Sequence, residues 1–246
     1  MLEFLFDATF WLAVLQIVAI DILLGGDNAV VIALACRKLP EAQRRKGILW
    51  GVAGAIALRI VLIFFALQLL ALPLLKVAGA LLLLWIGIKL LQPEDDDGHA
   101  NVAGSTHLLG AIKTIIVADA VMSLDNVIAV AGAAKGELGL VAFGIFISIP
   151  IIVWGSQFVL KLMDRFPLVI TLGAALLGWI AGDMVLGDVI VKPYLADAPG
   201  WLHYISAAAG AVFVVAIGTL LAKRAAAAAL VNEIALSGDA PRSGND

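Results

Sequence analysis

Two segments of this 246-residue chain carry the same polar side chains in the same order: IVAIDILLGGDNAVVIA at 17–33 and IIVADAVMSLDNVIAVA at 115–131. At an offset of 98, Asp21 falls on Asp119, Asp27 on Asp125 and Asn28 on Asn126. Carboxylate and carboxamide oxygens are hard donors, which suit Mn²⁺, Mg²⁺ or Ca²⁺ better than Zn²⁺ or Cu⁺. Both copies lie in apolar stretches, where an ionised Asp at the bilayer centre costs about 2.5–3.5 kcal/mol. Four such residues at matched places argue for a metal site. A polar network that pins two helices is the plainer alternative, and it leaves the duplication unexplained. Met122, beside the second motif, offers a sulfur that favours Mn²⁺ over Mg²⁺ as a ligand, although filling a core gap is the commoner role of such a Met.

The spacing sets how a helix must present these groups. Asp21 and Asn28 are seven residues apart, nearly two turns, and share a face. Asp27 points about a quarter-turn away, so a straight helix does not aim all three at one point. Gly25-Gly26 predicts a kink or a short unwound segment whose freed carbonyls join the ligands. Ser123-Leu124 stands there in the second copy.

The elements that hold these motifs follow from composition. The chain is 63% hydrophobic and 14% charged, with a mean hydropathy of +1.06, outside the range of soluble domains. This predicts an all-α, polytopic membrane protein with spans near 10–35, 48–70, 72–91, 108–134, 138–160, 168–187 and 202–222. Glu3 and Asp7 stand where a cleavable signal would be basic. The single Cys36 excludes an internal disulfide and a Cys-based metal cage. No histidine is expected inside a span. Arg37, Lys38, Arg44, Arg45 and Lys46 follow span one; Lys113, Lys161, Arg165, Lys223, Arg224 and Arg242 mark the same side, against Lys76, Lys135 and Lys192 opposite. The bias predicts a multi-pass protein of the cell inner (plasma) membrane, N-terminus outside and C-terminus cytoplasmic.

The repeat extends past the Asp motifs. PLLKVAGALLLLWIGI (73–88) matches PLVITLGAALLGWIAG (167–182) at half of its positions, including Pro73/Pro167, Gly79/Gly173 and Trp85/Trp179. Spans one to three then correspond to spans four to six, and a three-span unit enters the membrane from the opposite side the second time. The expected plan is a 3+3 inverted repeat plus a C-terminal helix: repeat one at 1–91, a cytoplasmic linker at 92–107, repeat two at 108–187, the seventh helix within 188–224 and a partly disordered cytoplasmic tail at 225–246. Transporters of this plan hold their substrate near the midplane between the repeats.

Other intramembrane charges bear on the site. Arg59, midway along span two, has two readings: a structural counter-ion to an Asp, or a tethered cation that occupies the site when the metal leaves. Lys89 is expected to snorkel to the surface, and its repeat-mate Asp183 is read as an outer supporting or entrance residue. Five carboxylates (Asp21, Asp27, Asp119, Asp125, Asp183) against Arg59 and Lys89 leave three negative charges. A divalent cation plus one proton would balance them, so proton coupling is chemically natural, while the sequence leaves the coupling ion open. In the linker, Asp95, Asp96, Asp97, His99 and His107 read first as a solvated tether and only second as a metal-collecting entrance.

GGDNAVVIA with SLDNVIAVA resembles the TerC family of integral membrane proteins along nearly the whole chain. The resemblance implies a seven-span protein in the wider LysE-type transporter superfamily, with members linked to manganese export. It places the family's acidic motifs on Asp21, Asp27, Asn28, Asp119, Asp125 and Asn126. The family's tellurium association does not identify a cargo, because tellurite is an anion and this core is acidic.

The sequence therefore predicts a carrier exporting Mn²⁺ (or Mg²⁺ or Ca²⁺) as transported substrate by alternating access, with no organic cofactor. Asp27 and Asp125 are the expected primary ligands, Asn28 and Asn126 beside them, and Asp21 and Asp119 complete the shell or carry protons. Its partners are the divalent ion, the lipid bilayer and protons; nothing in the charge pattern asks for nucleic acid. A membrane assembly or stress factor, with a polar core mediating helix contacts, is the alternative. No nucleophile–base pair suggests an enzyme.

Overall fold

The computed structural model describes residues 8–70, 72–92, 103–133, 138–195 and 198–238. Among these the protein is all-helical: α1 (Ala8–Arg37), α2 (Glu41–Leu70), α3 (Leu75–Leu91), α4 (Ala103–Ala133), α5 (Leu138–Arg165), α6 (Leu168–Leu186), a short 3-10 turn (Lys192–Leu195) and α7 (Trp201–Gly238). Among the described residues five helices hold a stretch long and apolar enough to cross a membrane: Glu41–Phe65, His107–Leu124, Phe143–Arg165, Leu168–Leu186 and Trp201–Ala228. The expectation of seven such spans is thus met at five. The 17 residues of α3 extend only about 26 Å, short of a ~30 Å hydrocarbon core.

The exterior is apolar. Trp50 is 67% exposed and Trp154 71%, alongside Phe146 and Leu168, and such a surface requires a lipid solvent. Inside, Leu34, Ile48, Leu83, Ile115 and Leu177 are fully buried. The helices pair across the chain rather than along it. α1 packs mainly on α5, α2 mainly on α4, and α1 touches α2 only sparingly. Each main crossing sets an isoleucine on a glycine. A Cβ on Gly144 would lie 2.5 Å from Ile17, and one on Gly51 would lie 2.5 Å from Ile115.

A second block joins α3, α6 and α7. There the backbones touch: a Cβ on Gly182 would lie 2.1 Å from the Ser206 carbonyl oxygen, and one on Gly210 would lie 2.1 Å from that of Gly178. Small residues allow this approach, and without a hydrophobic drive inside lipid it is the main source of helix attraction.

Several boundaries differ from expectation. α2 begins at Glu41, directly after Pro40, whose carbonyl accepts from Gln43 N and Arg44 N. Arg44, Arg45 and Lys46 therefore ride on its first turns and not in a loop. Arg44 ties this end together, donating to the Arg37 and Leu39 carbonyls and pairing with Asp164 of α5 at 2.7 Å. α4 starts at Ala103, inside the expected linker, while Asp95, Asp96, Asp97 and His99 lie outside the described residues. α7 continues to Gly238, well into the expected tail.

At the opposite end Asp188, fully buried, caps α3. Its carboxylate accepts from Leu74 N, Lys76 N, Val77 N and Ile190 N at 3.0–3.3 Å. Leu74 sits at φ 62°, a left-handed conformation that costs about 1–2 kcal/mol, and this cap holds it there. Burial raises the Asp188 pKa, but the four N–H donors outweigh that and hold the carboxyl below its ordinary 3.8. A carboxyl with a depressed folded pKa stabilises the fold above its unfolded pKa, and that contribution disappears as pH falls through the folded value. Asp188→Asn is therefore expected to melt lower at pH 7, with the gap to the parent closing below about pH 4. Melting curves across pH 3–7 check this; a constant gap would remove the cap from the account.

Candidate functional site

The acidic motifs meet at one arginine. Arg59 of α2 is 5% exposed. Its Nη1 donates to Asp21 Oδ1 of α1, and its Nη2 donates to Asp119 Oδ1 of α4 at 2.5 Å. The repeat-mate carboxylates are thus bridged by a single guanidinium, whose planar fork matches two oxygens at once. Asp119 Oδ1 also accepts from Asn28 Nδ2 at 2.8 Å, and Oδ2 accepts from Ser123 Oγ at 3.3 Å. Ser148 of α5 has the Asp21 carboxylate and the Ile145 carbonyl oxygen within hydrogen-bond reach of its hydroxyl, which has one proton to give. Four helices therefore converge, with two carboxylates against one cation before Asp27 is counted.

Not every buried group is satisfied. Asp27 Oδ1, Asn28 Oδ1 and Arg59 Nε are buried with no hydrogen-bond partner among the described residues. Leaving such a group unpaired costs about 1–3 kcal/mol. Beside Asn28 and Arg59 lies a cavity of about 20 Å³, room for about one water, lined by the polar residues Asn28, Arg59 and Asp119 and by apolar residues including Val31, Ala55 and Ile152. Val31 lies beyond Asn28 toward Arg37, and Ala55 lies before Arg59 toward Arg44. The cavity thus lies on the basic-end side of the bridge.

The expected site residues fare unequally. Asp21, Asn28 and Asp119 come together as their shared faces require. Asp27 is half-buried on the neighbouring face. The side chains of Asp125 and Asn126 lie outside the described residues. Met122, 6% exposed, belongs to the apolar core cluster. Among the described residues no three His, Cys, Asp or Glu side chains gather as a metal-binding group; a guanidinium stands between the two matched carboxylates instead.

The kink expected at Gly25-Gly26 is not there as an unwound segment, since α1 is helical from Ala8 to Arg37. Glycine permits a break but does not force one, and a freed carbonyl in lipid costs several kcal/mol. Asp183, exposed, pairs with His203 Nδ1 at 2.7 Å at the start of α7. This corrects the expectation of no histidine within a span, because His203 falls inside 202–222. Lys89 Nζ lies 4.9 Å from the Trp85 ring centroid, an amphipathic pairing at the helix end. Ser123, Ser148 and Asp188 were not anticipated as partners. A serine in an apolar run is too common to mark a site, and Asp188 acts on residues more than a hundred positions away.

Comparison with known proteins adds a lineage. A family model described as the integral membrane protein TerC family matches residues 6–227. The uncharacterized membrane protein YjbE of Bacillus subtilis is 45% identical over 186 residues, covering 76% of this chain and 84% of that protein. The inner membrane protein YoaE of Escherichia coli is 29% identical over 221 residues, 81% of this chain but 42% of its own length. The uncharacterized membrane protein YceF of Bacillus subtilis is 28% identical over 190 residues, 74% of each. No solved structure matches.

Proposed function

The chain belongs to the integral membrane protein TerC family, and from that premise we propose that it is a carrier exporting a divalent cation, Mn²⁺ foremost, across the inner membrane by alternating access. The observation that carries this is the pair of buried oxygens, Asp27 Oδ1 and Asn28 Oδ1, left without a donor among the described residues, with Asn28 at the edge of a cavity. Unpaired acceptors in a low-dielectric core are costly, and a hard cation is what satisfies them. Asp27 and Asn28 hold the ion first, Asp125 and Asn126 supply the matching oxygens from the other repeat, and Asp21 and Asp119 close the shell.

Two features support an inverted 3+3 plan. The main pairings α1·α5 and α2·α4 exchange into each other when the two triplets are swapped. Ile17 and Ile115, repeat-mates at offset 98, make the same isoleucine-on-glycine crossing in each. The basic end, where α1 finishes and α2 begins, faces the cytoplasm under the positive-inside rule, so the cavity lies on the cytoplasmic side of the bridge, the side from which exported cargo arrives.

The test is equilibrium metal binding by the purified protein. Saturable Mn²⁺ binding that is lost in Asp27→Asn is expected, in preference to Zn²⁺. A Zn²⁺ preference that survives deletion of 92–107 would defeat the hard-oxygen argument, because two of the three histidines lie there. No metal binding at all would leave the assembly-factor reading, in which the same bridge is only a helix clamp.

A further inference from the structure

The two halves are alike in backbone packing and unlike in charge. Gly51 and Gly144, which receive the matched isoleucines, set an offset of 93 between α2 and α5. That offset places Arg59 on Ile152 and Ala55 on Ser148. Ile152 lines the same cavity as Arg59. One half therefore supplies a cation where the other supplies an apolar side chain, and this one cation lies between the two repeat-mate carboxylates.

We propose that Arg59 is a built-in competitor for the cargo: its guanidinium and the divalent cation take the same place between Asp21 and Asp119, one at a time. This rests on the transport reading above. A hard divalent ion holds carboxylate oxygens at about 2.0–2.6 Å, and each nitrogen of the guanidinium fork holds one at about 2.7–2.9 Å, so the two carboxylates draw closer together when the ion replaces the wider fork. Ion and guanidinium cannot share that place, since like charges in contact inside a low-dielectric core repel strongly.

The surroundings give both exchange partners somewhere to be. Asp27 Oδ1 and Asn28 Oδ1 are free to take the arriving ion first. The Arg59 side chain borders the cavity, which marks the direction in which it moves aside as the apolar lining residues give way. When the ion leaves, the guanidinium returns, so Asp21 and Asp119 regain a counter-charge without taking up protons. Arg59 also sets the affinity: the ion meets a competent site only in the fraction of molecules whose bridge is open, which weakens apparent binding by that fraction.

The experiment uses the full chain in nanodiscs with Mn²⁺ as the probe, followed by electron paramagnetic resonance of the free ion. Arg59→Met is expected to bind Mn²⁺ at least about tenfold more tightly than the parent, because the self-competition is gone, and to release it more slowly in efflux. The parent protein supplies a second readout that needs no variant. Phenylglyoxal labelling of Arg59, read by peptide mass spectrometry, is expected to rise with Mn²⁺ and share the midpoint of binding. Labelling that stays flat or falls as Mn²⁺ saturates overturns the proposal, as does a folded Arg59→Met that binds no more tightly. Should Arg59→Met fail to fold, the labelling decides alone. Parent protein with no Mn²⁺ binding, or binding indifferent to Asp27→Asn, would instead defeat the transport reading and take this inference with it.

Discussion

Asp119→Ala is expected to destabilise the folded protein by about 3–5 kcal/mol, the range for breaking a buried ion pair from one side. Asp119 accepts from Arg59, Asn28 and Ser123 at once. Its loss leaves the guanidinium held by Asp21 alone and an amide N–H₂ of Asn28 buried without an acceptor. Removing the arginine as well, in Asp119→Ala/Arg59→Met, is expected to recover part of the loss, because groups in one network are not additive. Reversible unfolding in mixed micelles measures both. A single-variant loss below about 1 kcal/mol, the scale of an exposed pair, would mean that water or lipid headgroups reach the bridge and that it does not hold four helices together.

Asp27→Asn gives the opposite pattern: efflux falls to the level of liposomes without protein, while the amount of folded protein is kept. The exchange preserves size and hydrogen bonding and removes only the charge, and an intramembrane charge removed lowers the insertion cost. Asp27 Oδ1 has no partner to lose among the described residues. Asp125→Asn is expected to do the same on the strength of the repeat. The double exchange is expected to be no worse than either single, since residues acting as one unit are non-additive. Mn²⁺ efflux from proteoliposomes, normalised to folded protein by gel filtration, decides it. Near-normal efflux per folded molecule in either variant would make that Asp a scaffold residue.

These two outcomes divide the motif in a way the sequence does not. In the sequence Asp21, Asp27, Asp119 and Asp125 look alike: acidic residues in apolar runs. Helical periodicity does predict that Asp21 and Asn28 share a face, and both reach the bridge. It also turns Asp27 away from that face, and Asp27 indeed stands apart. What periodicity does not contain is the neighbour. Arg59 carries two readings because nothing local says whether one carboxylate or two will meet it. Gly25-Gly26 shows the limit from the other side, since residue type gives permission to unwind and the lipid environment withholds the reason. Asp188 is beyond local reading altogether. A cap is sought within a few residues of a helix start, whereas α3 receives its cap from a turn after α6.

The pairing of α1 with α5 and of α2 with α4 also bears on how the chain is made. While ribosomes are still synthesising the second half, the first three helices enter the bilayer before their principal partners exist. Their apolar faces can wait there, because lipid tails are as apolar as leucine. A bare guanidinium at membrane depth cannot wait so cheaply. Asp21 is already present on α1, and it can accompany Arg59 until α4 delivers Asp119. The carboxylate that forms half of the finished bridge can thus serve the nascent chain first, as a counter-charge that lowers the cost of inserting the arginine.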